Sequence, residues 1–211
     1  MGGRGASSGR QGGGGGLDPN DIISTRSLVS ERENNAELVD EVLGVFRNVS
    51  DEYGYTVGDI EVAKLKPKAN AIAYYDGANI AVNERFFNKA GLEKAYKDCV
   101  DSGFHPKKGK KTAMEAVISH EVGHALTDSV ADKMGIKGLN KTDAAATRIV
   151  KEARKQTKHR GVVQMASKIS GYATYSNAEA IAEAFSDVYC NGGKARSESK
   201  AIVNVMNSYL K

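Results

Sequence analysis

Residues 120–124 read His-Glu-Val-Gly-His, and this pentapeptide constrains the chain more than any other feature. On an α-helix, residues four apart stand one above the other on one face. His120 and His124 can therefore offer two imidazole nitrogens to one Zn²⁺, each about 2 Å from it. Glu121 then stands beside the metal rather than on it, where a general base takes a proton from water. The flanks read as helix. Thr112 and Glu115 have capping-box spacing, and Met114, Val117, Ile118, Val122, Ala125 and Leu126 supply an apolar side, which predicts a helix over 112–135.

A hydrolytic zinc site needs a third protein ligand and an open fourth position. No histidine follows closely; the stretch after His124 is ALTDSVADKMG. The candidates are carboxylates. Residues 177–187 read NAEAIAEAFSD, with Glu179, Glu183 and Asp187 on one helical stripe and Ala178, Ala180, Ala182 and Ala184 between them. The alanines are small enough for another helix to come close. A carboxylate one turn beyond a metal-bound Glu can accept the free N–H of a ligating imidazole. Spacing alone leaves other readings open. The stripe also fits a solvated acidic face, and Ser176 with Glu179 has capping-box spacing. The remaining histidines, His105 and His159, lie in basic surroundings and read as solvated.

Composition shifts divide the chain. Nine of its 23 glycines fall in residues 1–16, which predicts a disordered Gly/Arg arm. Residues 17–29 read as a tether, and residues 30–211 as one domain large enough to bury a core. Ser30 and Glu33 open a first helix by their spacing, carried to about residue 49 by Leu38, Val42, Val45, Phe46 and Val49. Three strand-like stretches follow at 59–65, 71–75 and 79–83, with an Asp76-Gly77 turn between the last two. Helices are predicted from Phe86 to about residue 101, over 112–135, 142–158 and 177–190, and over 197–210, with a short one near 162–169. Strands first and helices after predict an α+β fold.

The two motifs together, HEVGHALTD and YATYSNAEAIAEAFSD, resemble the zincin metallopeptidases that use a glutamate as third ligand. They are most like the lethal-factor-like group, whose second motif runs Tyr, a few residues, Asn, then E-x-x-A-E-A-F. They are also similar to zincin-like domains of phage head-morphogenesis and minor capsid proteins, and the opening MGGRGASSG is similar to N-termini of phage and prophage proteins. The strand pair AYYDGANIAVN resembles the one that precedes the active helix in such domains. The resemblance implies a zincin-like fold and a metalloendopeptidase with one Zn²⁺ per chain. His120, His124 and Glu179 become the ligands, Glu121 the catalytic base, and Glu183 the carboxylate behind a ligand. Tyr172 becomes a phenol facing the metal that donates to the oxyanion, with Tyr175 as its packing neighbour. One departure opens a rival register. Asn177 and Glu179 are spaced N-x-E where the lethal-factor-like pattern has N-x-x-E. In a thermolysin-like register Glu183 is the ligand and Asp187 stands behind it.

The formal net charge is +4, of which Arg4 and Arg10 in the arm supply two. The rest is close to neutral, so charge does not point to nucleic acid as a partner. The lysines of SGFHPKKGKK (102–111) and the alternating charges of KEARKQTKHR (151–160) read as solvated surface. No apolar run reaches membrane-spanning length, and no apolar signal segment opens the chain. Two cysteines, Cys99 and Cys190, cannot form a disulfide scaffold. The expected partner is a protein or peptide substrate, with virion or host proteins as candidates and no membrane. The expected location is cytoplasmic or virion-associated. A non-catalytic phage structural protein that keeps a zincin-like module is the alternative function.

Overall fold

The computed structural model describes residues 18–56, 58–138 and 140–211. The arm assigned to residues 1–16 lies outside the described residues. The architecture is α+β: a small four-stranded sheet from the N-terminal half, and a C-terminal half that is mostly helical.

Strand β1 (Ile22–Ser27) pairs antiparallel with β2 (Ile60–Leu65). Between them runs helix α1 (Arg32–Tyr53). Strands β3 (Ala73–Tyr75) and β4 (Ile80–Asn83) form an antiparallel hairpin, and β4 lies parallel to β2, giving the order β1-β2-β4-β3. The predicted hairpin turn is present. The Asp76 carboxylate accepts from the backbone N–H groups of Ala78 and Asn79, while Gly77 takes φ +102°, where a side chain would be strained.

Two expectations at the N-terminal end need correction. Residues 22–27 are not part of a tether but the first strand of the sheet, with side chains almost all exposed. Their sequence, IISTRS, has no apolar alternation because neither face of this edge strand is buried; backbone pairing to β2 holds it. Ser30 does not cap a helix either. Its hydroxyl donates to the Ser27 carbonyl inside a short 3₁₀ turn (Leu28–Glu31), and α1 begins after it.

Helix α2 (Lys89–Asp101) is capped by the Asn88 side chain, which accepts from Gly91 N–H. Helix α3 (Ala113–Lys133) opens with the predicted capping box. Thr112 Oγ1 accepts from Glu115 N–H and the Glu115 carboxylate accepts from Thr112 N–H. This helix is not amphipathic. From Ala113 to Thr127 only Glu115 escapes burial, because β3, α1, α2, α4, α6 and α7 pack around it. Burying a side chain such as Ile118 or Leu126 fully contributes about 1.5–3 kcal/mol. Helices α4 (Lys141–Lys155), α5 (Val162–Ala166), α6 (Asn177–Asn191) and α7 (Ser197–Leu210) complete the fold.

Helix α6 makes the closest approach to α3. A Cβ built on Gly123 would lie 2.8 Å from the Ala182 Cα and 3.2 Å from the Phe185 Cβ. Gly123 and Ala182 therefore allow the two backbones to meet at the level of the histidines.

Candidate metal centre

His120 and His124 lie one turn apart on α3, each 3% exposed. Glu179, in the first turn of α6, is 6% exposed and faces them. Its backbone N–H is taken by the Ser176 hydroxyl. No return bond from its side chain closes a capping box, so its carboxylate is directed at the histidines instead.

Three atoms converge. His120 Nε2 lies 3.3 Å from His124 Nε2 and 3.2 Å from Glu179 Oε2, and His124 Nε2 lies 3.4 Å from the same oxygen. Three ligands of a tetrahedral ion with bonds of about 2.0–2.1 Å stand roughly 3.3–3.4 Å apart. The spacing is that of a zinc site, and these three residues form a cluster of potential metal ligands among the described residues.

Glu183, one turn further along α6, stands behind His120 rather than in front of it. Its Oε1 accepts from His120 Nδ1–H at 2.8 Å and from His105 Nδ1–H at 2.9 Å, and its Oε2 accepts from the Ser170 hydroxyl at 2.6 Å. Burial alone would raise this carboxyl, but His105, His120 and their hydrogen bonds hold it well below the ordinary carboxylate range. An ionised carboxylate only accepts, so the protons sit on both Nδ1 atoms. The Nε2 of a neutral His120 then presents a lone pair toward the Glu179 carboxylate, an arrangement that a cation, metal ion or proton, relieves. Burial lowers the pKa of His120, but hydrogen bonds to Glu179 and Glu183 outweigh it and raise it well above the usual value. Glu179 is lowered to about 2, since the charges of His124 and His120 and their hydrogen bonds overcome its burial.

Glu121 is fully buried, and neither of its oxygens makes a hydrogen bond of ordinary geometry among the described residues. Burial pushes its carboxyl up, against the opposing charges of His120 and His124. A buried carboxylate left without a full set of donors is costly in a purely structural role.

Tyr172 lies in a 3₁₀ turn (Tyr172–Thr174) packed on α6. Its ring stacks on His120 (5.7 Å, 20°). Burial and the carboxylates of Glu179, Glu121 and Glu183 push its phenol far above its ordinary pKa. Tyr175 is 51% exposed and packs against Tyr172 and Phe104.

Asp187, the partner in the rival register, is not near the histidines' Nε2 atoms. It is buried at the α6–α7 junction, where it accepts from the Ser199 hydroxyl (2.7 Å), Arg196 N–H (3.0 Å) and the Asn191 amide (2.8 Å). Asp128, four residues after His124, accepts from the Tyr75 phenol (3.2 Å) and the Thr142 hydroxyl.

Neither remaining histidine is solvated. His105 is 7% exposed and bonded to Glu183, while His159 is half-buried with its Nε2 2.7 Å from Glu198 Oε1. His105 packs its ring among Tyr96, Phe104 and Tyr172, while the neighbouring Lys107 and Lys110 stay exposed. Nothing in the spacing connects position 105 with position 183.

No curated protein and no solved structure matches the chain. The model of Peptidase family M48 matches residues 31–206. This match supports neither the lethal-factor-like group nor a phage or mobile-element origin.

Proposed function

The chain belongs to peptidase family M48, and on that premise we propose that it is a zinc metallopeptidase. His120, His124 and Glu179 would hold one Zn²⁺ through the three facing atoms, His120 Nε2, His124 Nε2 and Glu179 Oε2. The observation that carries this reading is the triangle of three buried donor atoms 3.2–3.4 Å apart, which closes around a cation of zinc's size. It favours Glu179 over Glu183 as the third ligand, because Glu183 meets His120 at Nδ1 and Asp187 is spent on α7.

When bound, zinc supplies Lewis acidity that polarises a scissile carbonyl and acidifies water. The chain's own groups do the rest. Glu121, buried beside the histidines, takes a proton from the attacking water and delivers it to the leaving amine. Tyr172 stands over His120 beside the donor triangle, and from there its hydroxyl donates a hydrogen bond to the developing oxyanion. Glu183 fixes the tautomer of His120. The substrate is a protein or peptide.

Elemental analysis of the purified chain tests the site. The expected result is about one zinc per chain, lost in the double variant His120→Ala/His124→Ala. Full zinc retention in that variant would overturn the reading.

A further inference from the structure

Glu183 serves two imidazoles with a single oxygen. His120 lies on the metal side, whereas His105 comes from the loop after α2 and contributes no donor to the triangle. We propose that His105 is a positioning residue for the metal centre: by donating its Nδ1–H to Glu183 it pins that carboxylate against His120 Nδ1, and so aims His120 Nε2 at the zinc. The inference rests on the zinc reading above.

His105 is itself immobilised on every side. Its ring stacks on Tyr96 at 5.5 Å with an interplanar angle of 3°, and it meets Phe104 and Tyr172 edge-on. The Tyr96 hydroxyl donates to the Pro106 carbonyl. The loop backbone is tied back to α2 by Phe104 N–H donating to the Cys99 carbonyl. It is tied forward to the Tyr172 turn by Gly171 N–H on the Gly103 carbonyl (2.8 Å) and Tyr172 N–H on the Phe104 carbonyl (3.0 Å). Ser170, just before that turn, holds the other oxygen of Glu183 with its hydroxyl. Glu183 has three side-chain torsions, and these two donors restrict it from the side away from the metal. Without His105, its Oε1 keeps one donor where it had two, and the His120 ring loses a fixed acceptor.

Two substitutions separate positioning from packing. His105→Phe keeps a flat ring against Tyr96 but has no N–H. His105→Asn gives up the stack but places an amide N–H₂ near the position of Nδ1. Zinc affinity is measured for both full-length variants by competition with a chelator, alongside melting temperature. His105→Phe is expected to weaken zinc binding by about tenfold, the low end of the range for a lost direct partner of a metal-bound histidine, because His105 acts through Glu183. His105→Asn is expected to stay within about threefold of wild type while melting lower, since it keeps the donor and loses packing. Wild-type affinity in His105→Phe, or equal weakening in both variants, would overturn the proposal. A measurement on the unmodified zinc-loaded chain covers the case of a misfolded variant. Long-range ¹H–¹⁵N correlation of the imidazoles is expected to find the His105 proton on Nδ1, and a neutral His105 protonated only on Nε2 would overturn the proposal. A wild type that binds no zinc defeats the zinc reading itself, whereas zinc-loaded wild type beside an unaltered His105→Phe defeats the positioning role alone.

Discussion

Glu121 and Tyr172 can be probed by deleting one chemical capacity at a time. Glu121→Gln keeps the shape of a fully buried side chain but cannot accept a proton. The variant is expected to fold and keep zinc while peptide hydrolysis falls by roughly 10²–10⁴, the usual contribution of a positioned base. Cleavage at the wild-type rate would remove Glu121 from the reaction. Tyr172→Phe keeps the stack on His120 and removes only the hydroxyl. Its loss is expected in kcat, by about 10²–10³, with little change in KM, as for a deleted oxyanion donor. Tyr175, half exposed and packed against Tyr172, is expected to tolerate Phe with near-normal turnover. Steady-state kinetics on one peptide compares all three variants.

At the scale of elements, the site depends on how closely α3 and α6 approach. Gly123→Ala would bring a Cβ to 2.8 Å from the Ala182 backbone. Backbone does not yield as a flexible side chain does. Overpacking of this kind costs roughly 1–3 kcal/mol, against about 1 kcal/mol gained from the higher helix propensity of Ala. The expected outcome is a lower melting temperature together with weaker zinc binding, because pushing α6 away moves Glu179 from both histidines. An unchanged melting temperature would show that the helices have room to spare. The two glutamates of α6 divide in the same way. Glu179→Ala removes a corner of the donor triangle, whereas Glu183→Ala removes an acceptor behind one corner. Zinc titration is expected to show a far larger loss for Glu179→Ala than the ~10–100-fold of a lost supporting contact. The reverse order would restore the Glu183/Asp187 register.

For the molecule as a whole, the centre concentrates buried carboxyl groups beside histidines, an arrangement that a bound cation would stabilise. Glu121, Glu179 and Glu183 are all at least 94% buried within one region of the core. No disulfide helps, as Cys99 and Cys190 are both free thiols, and burial lifts the Cys190 thiol to about 12. Among the described residues no helix is long and apolar enough to cross a membrane. A metal that binds only the native state stabilises it by about 2.7 kcal/mol at one hundred times its Kd. For a chain of this length that corresponds to a melting temperature roughly 5–10 °C higher. Calorimetry with and without a chelator is expected to show that difference in wild type and none in His120→Ala/His124→Ala. An identical shift in both would place the stabilising metal elsewhere.

Much of this was legible from residue order, because the physics involved is local. A capping box, a four-residue His repeat and a turn-forming Asp-Gly act over a few positions, so α3, the β3–β4 hairpin and the stripe on α6 could be read before any packing was known. The pairing of HEVGH with the second motif identified a zinc peptidase chemistry, though not its family. What was not legible depends on contacts between distant segments. Strand β1 has no apolar alternation to announce it, since only backbone pairing with β2 makes it a strand. Whether Glu179 or Glu183 meets the Nε2 atoms depends on the rotation of α6 against Gly123, and one stripe of three carboxylates looks alike in both registers. His105 is 78 residues from the glutamate it holds. Its inward turn is set by Tyr96, the Tyr172 turn and a carboxylate that must be paired once buried. The sequence determined which chemical groups were available; the tertiary structure decided which of them share a proton, which converge in the donor triangle, and which stand behind.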